Sequence, residues 1–151
     1  MFELLKIRKA RRLARATIAP FLQRDPGGRA MLQAGDWLQP QTIGFLATLV
    51  TLLAQRHCGP MRSHALAAVQ SDVLNAVTGI GPELIGEEIC LLSSREDAAF
   101  AAGARGAVAF LEALREQGSF DEVDAQMPTD ALIGLWEEHV DHCLQRGAAA
   151  G

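Results

Sequence analysis

The sequence predicts an all-α protein, a single compact bundle of about six helices around one buried central helix. Three observations lead there. Apolar residues recur at helical spacing in several separate stretches, and none alternates β-branched or aromatic with polar residues for long enough to suggest a sheet. Hydrophobic residues make up 49% of the chain but aromatic residues only 5%, with no tyrosine, so the core must be built from Leu, Ala, Val and Ile, whose small volume suits closely packed helices. The most apolar run, Ile43 to Ala54 (IGFLATLVTLLA), carries no charge at all. At 151 residues the chain has a one-domain length, expected as 1-151 with a basic N-terminal helix over 1-24 and a frayed tail over 148-151.

The central helix is placed at about 40 to 57, with Pro40 in its first turn and Gly59-Pro60 as the stop. Wound at about 100° per residue, Ile43, Phe45, Leu46, Leu49, Val50, Leu52 and Leu53 cover most of its circumference, so other elements must surround it. Gly44, Thr48, Thr51 and Gln55 fall on one line, a seam where a second helix can approach closely and where each threonine can bond back to a carbonyl one turn earlier. A membrane span needs about 20 mostly apolar residues, and this run falls short.

Ahead of it, residues 2 to about 19 form a basic amphipathic helix that Pro20 is expected to bend or restart. Arg8, Arg11, Arg12 and Arg15 cluster on one side, and Ile7, Ala10, Ala14, Ile18 and Phe21 on the other. The four arginines are candidate anion ligands: they can neutralise phosphates, although no sequence-reading motif or interleaved aromatic accompanies them. Asp25-Pro26-Gly27-Gly28 reads as a turn, and a short helical piece over Arg29 to Ala34 leads through Trp37, expected to cap the core, into the central helix.

Beyond Pro60 a third helix runs to about Thr78 with Leu66, Val69, Val73, Ala76 and Val77 on one face and Gly79 as its stop. A short helix from about Glu83 to Leu92 follows, and in it Glu88 falls inside the apolar arc of Leu84, Ile85, Ile89, Leu91 and Leu92. A carboxylate so placed is paired, protonated or lining a cavity. Ser94 to Asp97 resembles a capping box that opens a long helix to about Gln117, with Gly118 ending it. Its glycines, Gly103 and Gly106, cost on the order of 1 kcal/mol each relative to alanine, so close packing, favoured here, or a pocket must compensate. Ser119 to Pro128 is an acidic loop, and Thr129 caps a last helix over about 130 to 146 that Gly147 ends. Leu132, Ile133, Trp136, Val140, Cys143 and Leu144 are its expected inner face, with His139 at the edge.

The formal net charge of −4 argues against a dedicated nucleic-acid binder, yet it hides a polarity, with a basic first segment and an acidic last one that could attract each other within or between molecules. Cys58, Cys90 and Cys143 form no CxxC pair and leave an odd thiol in any disulfide scheme, which suits a reducing cytoplasm. The excess of Arg over Lys with abundant Ala and Gly suggests a GC-rich bacterial gene. His139 and Cys143, one turn apart, could share a metal with His57 and Cys58 if the two helix ends met, but no recognised ligand spacing is present and no metal or cofactor is implied.

No catalytic set is legible. The leading expectation is a non-enzymatic interaction protein that self-associates, a dimer being favoured, or binds another protein. A second is a small-molecule site among Glu88, Gly103 and Trp37. A third is a peripheral membrane or nucleic-acid binder acting through the N-terminal arginines.

Overall fold

The computed structural model describes residues 2–24, 33–117 and 128–150, with side chains up to residue 147. The expected turn at 25–28, most of the short helix at 29–34 and most of the acidic loop with its Gly118 stop lie outside the described residues. Within them every regular element is helical: α1 is Phe2–Gln23, a 3-10 turn is Ala34–Trp37, α2 is Pro40–Cys58, α3 is Ser63–Thr78, α4 is Pro82–Ser94 and α5 is Ala98–Glu116. The last helix has three parts, α6 at Asp130–Trp136, a π-helical turn at Glu137–Asp141, and α7 at His142–Ala150.

The predicted centre is the observed one. Pro40 occupies the first turn of α2 and Gly59, at φ 71°, terminates it, a left-handed position that glycine tolerates without a Cβ penalty. Its buried residues, Ile43, Phe45, Leu46, Ala47, Leu49, Val50, Leu53 and Ala54 among them, cover more than half of the circumference, Gly44 lies beyond them, and Thr48, Thr51 and Leu52 on the remaining side are half-buried. That is possible because α1, α3, α4, α5 and the π turn all pack on it, α5 most extensively.

The α2–α5 contact is closest where both helices lack side chains. A Cβ on Gly44 would overlap the Phe100 carbonyl, and one on Gly103 would overlap the Gln41 carbonyl. The seam read from α2 therefore splits. Gly44 meets α5, whereas Thr51 bonds back to the Ala47 carbonyl (3.0 Å) and receives the Gln70 amide from α3.

Four of the chain's few large aromatics meet at the centre. Phe21 of α1 packs on Phe110 of α5 (centroids 5.2 Å apart) and stacks on Trp136 of α6 (5.3 Å), while Phe45 of α2 meets both Phe110 (5.6 Å) and Trp136 (6.0 Å) edge to face. Edge-to-face and offset stacks add about 0.5–1.5 kcal/mol each beyond area burial, so this cluster ties four elements at one point.

Several boundaries differ from expectation, each for a local reason. Ser94 does not cap α5. Its hydroxyl turns back to the Cys90 carbonyl (2.7 Å) and completes α4, leaving Asp97 to accept the Phe100 N–H (2.9 Å) as the actual cap. Pro20 neither ends nor restarts α1, which continues to Gln23. The last helix passes Gly147 and its three following alanines extend it to Ala150, in keeping with alanine's high helix propensity. Thr129 does cap α6, accepting the Leu132 N–H, and Gly79, at φ 76°, does end α3.

Candidate functional site

α1 docks by small and medium side chains. Ala10, Ala14, Ile18 and Phe21 are buried at helical spacing, and the two alanines let the helix lie close to α2 and α3. This fixes which arc faces outward: Phe2, Leu4 and Leu5 are 85%, 64% and 58% exposed, and Arg8, Lys9, Arg12 and Arg15 are exposed beside them. At 3.6 residues per turn these positions occupy less than half the circumference.

Contacts with the body hold that orientation. Glu3, the only carboxylate in α1, faces His64 of α3 at 3.6 Å, Lys6 donates to the Pro60 carbonyl (3.3 Å), and Arg11 forms an ion pair with Asp72 of α3. The four expected arginines are thus divided. Arg11 belongs to the helix–helix contact, and Arg8, Arg12 and Arg15 have no ion-pair partner among the described residues. Between α1 and α3 lies an open cleft of about 310 Å³, lined by Arg15, Ala16, Ala19, Leu22, Ala76 and Val77.

His139 forms a different kind of centre. Sequence spacing puts it at the helix edge, half-exposed; the structure buries it to 6% exposure. The cause is the π turn, in which the His142 N–H bonds to the Glu137 carbonyl and the wider loop sets the following residues back toward the core, burying Asp141 as well. The His139 ring stacks on Phe45 (centroids 5.3 Å, 9° between planes) and abuts Gly106, where a Cβ would overlap it. Its Nδ1 lies 3.0 Å from the Gln41 amide nitrogen and its Nε2 3.8 Å from the Glu138 carboxylate, and Thr42, fully buried, donates to the His139 carbonyl (3.0 Å). Burial pushes the imidazole pKa below its ordinary value, opposed in part by the Glu138 charge. A neutral ring enclosed on these sides joins α2, α5 and the last helix and leaves little room for a substrate.

The four-residue metal constellation is not assembled. His139 meets α2 beside Gln41 and Thr42, whereas His57 and Cys58 lie at its other end, about 24 Å away at 1.5 Å per residue. Cys143 is buried and close to its own helix, with Sγ 3.5 Å from the Glu138 carbonyl and 3.2 Å from the Arg146 guanidinium, and the Cys58 thiol points to the Lys6 carbonyl (3.5 Å). Among the described residues no group of three or more His, Cys, Asp or Glu is placed to hold a metal ion.

Nor do Glu88, Gly103 and Trp37 form one pocket. Gly103 is closed by the backbone of α2, Trp37 is packed into the core, and Glu88 stands half-buried on α4, which packs chiefly on α3. The apolar arc assigned to α4 is only partly internal: Ile85 and Leu92 are buried, but Leu84 and Leu91 are exposed, so Glu88 does not project into the core. No ion pair to Glu88 is found among the described residues.

Charge alone does not single out Phe2, Leu4 and Leu5. Their signal was nonetheless in the sequence: winding α1 from its buried Ala10, Ala14 and Ile18 leaves the first-turn apolar residues with Arg8 and Arg12 on the outside. Among the described residues no helix is long and apolar enough to cross a membrane. Compared with known proteins, the chain matches no family model, no curated protein and no solved structure.

Proposed function

We propose that the protein is a non-enzymatic interaction module whose working surface is the outer face of α1, and that this face engages a polyanionic partner. One observation carries the reading. Arg8, Lys9, Arg12 and Arg15 stand exposed in a row, without ion-pair partners among the described residues, on a helix whose inner face is otherwise committed to the core. The overall negative charge makes this row the more distinct, since a local cationic stripe concentrates its field even on an acidic protein. The enclosed His139 supports a structural role for the one buried imidazole and so favours binding over catalysis.

Retention on an immobilised sulfated polyanion tests the reading. The wild-type chain should bind at low salt and elute as salt rises, because exposed charges more than about 10 Å apart are screened at 0.1 M. Arg8→Gln/Arg12→Gln/Arg15→Gln should elute at clearly lower salt while keeping the wild-type unfolding midpoint. Equal elution of the two proteins would remove the basis of the proposal. Self-association, expected from the sequence, draws support from exposed Leu84 and Leu91, seven residues apart on one face of α4, and native mass spectrometry of the same preparations would read it as a doubled mass.

A further inference from the structure

We infer that the polyanionic partner of α1 is the surface of an anionic lipid bilayer, with Phe2, Leu4 and Leu5 entering the headgroup–acyl boundary and Arg8, Lys9, Arg12 and Arg15 lying on the lipid phosphates. The inference rests on the docking reading above and names its partner.

The argument turns on what the cations share their face with. Three bulky apolar side chains, 85%, 64% and 58% exposed, occupy the first turn, directly ahead of the cationic row. Against a nucleic acid or a soluble polyanion those side chains would stay in water and add little. A bilayer interface offers both environments in one plane, anionic groups above and hydrocarbon a few ångströms below.

The first turn is also oriented for such a role. Glu3 near His64 and Lys6 donating to the Pro60 carbonyl lie on its inner side, which turns Phe2, Leu4 and Leu5 outward. Phe2 and Arg15 are about 20 Å apart along the axis, room for several lipid headgroups. At the other end of the row the open cleft of about 310 Å³ repeats the pairing of charge and apolar surface, Arg15 lining it together with Ala16, Ala19, Leu22, Ala76 and Val77. A cleft of this size is at the lower end of ligand-site volumes, and its mostly apolar lining adds to the apolar surface available beside Arg15.

The test is co-sedimentation of the full chain with two kinds of vesicle, phosphatidylcholine alone and phosphatidylcholine containing phosphatidylserine, alongside retention on the sulfated polyanion and on duplex DNA. Each cation near an anionic membrane contributes about fivefold in affinity, so Arg8→Gln/Arg12→Gln/Arg15→Gln should bind the phosphatidylserine vesicles about a hundredfold more weakly. Phe2→Ser/Leu5→Ser should lose at least about tenfold on those vesicles yet elute from the polyanion at the wild-type salt. Both variants alter exposed side chains, and unchanged helical circular dichroism and unfolding midpoint confirm that each is folded. Phosphatidylserine-vesicle binding that survives Phe2→Ser/Leu5→Ser undiminished overturns the bilayer inference, as does equal binding to both vesicle types. Wild-type retention on DNA or the polyanion with no sedimentation on either vesicle also overturns it, while leaving the docking reading standing. Failure on every anionic surface overturns both.

Discussion

Replacing Gly103 by alanine should destabilise the protein although alanine is the better helix former, and replacing Gly134 by alanine should stabilise it. At Gly103 the added Cβ would overlap the Gln41 carbonyl and crowd the Phe45 backbone nitrogen, neither of which can rotate away as a side chain would. Separating α2 from α5 would loosen the largest interface in the fold. Overpacking costs about 1–3 kcal/mol, and a backbone-lined site belongs at the upper end. Against this, exchanging glycine for alanine within a helix recovers about 1 kcal/mol. The net expectation is a loss of about 2 kcal/mol, which for a chain of this size lowers Tm by about 4–8 °C. At Gly134 in α6 an added Cβ would meet nothing within 4 Å, so only the propensity gain remains, about 1 kcal/mol or about 2–4 °C upward. Urea unfolding and thermal melts of the two variants beside wild type give the answer. A Gly103→Ala protein as stable as wild type would show that the α2–α5 approach is not limited by backbone contact.

Two further outcomes follow from the centre at the π turn. Because burial holds the His139 pKa below its unfolded value of about 6.5, the unfolded chain takes up a proton there before the folded chain does; stability is therefore full above that value and falls as pH drops below it toward the folded pKa. The slope cannot exceed about 1.4 kcal/mol per pH unit for one group, and His139→Gln should be correspondingly less sensitive between pH 7.5 and 5.5 in urea titrations; equal acid sensitivity in both proteins would rule this out. Thr42→Val should cost about 1–3 kcal/mol at every pH, because the His139 carbonyl then loses its buried donor, and a loss within error of zero would mean that the π turn does not depend on that bond.

The all-α class and the place of its central helix were legible because they rest on local physics. Pro40, Gly59, Gly79 and Thr129 act through dihedral preference and the orphan groups at helix ends, which depend on neighbours a few residues away. The uninterrupted apolar run from Ile43 to Ala54 permitted no solvated face, so encirclement of α2 followed from composition alone. The close fit at Gly44 and the basic side of α1 were legible on the same grounds.

The facing of the last helix was settled by tertiary structure. A regular winding carries His139 to the edge and Asp141 outward, and the π turn reverses both, held by a ring that fits against Gly106, a stack on Phe45 and a hydrogen bond from Thr42. None of those partners is closer than 33 residues in sequence, so no local pattern encodes the extra residue in the turn. The same holds for the arginines. Sequence placed Arg8, Arg11, Arg12 and Arg15 together, but only the packing of α1 on α3 brought Asp72 to Arg11, left the other three without such a partner among the described residues, and held Phe2, Leu4 and Leu5 beside them in solvent. Helix formation and most helix ends were determined by short-range sterics and hydrogen bonding; the π turn, and which faces were buried and which were left exposed, were determined by long-range packing.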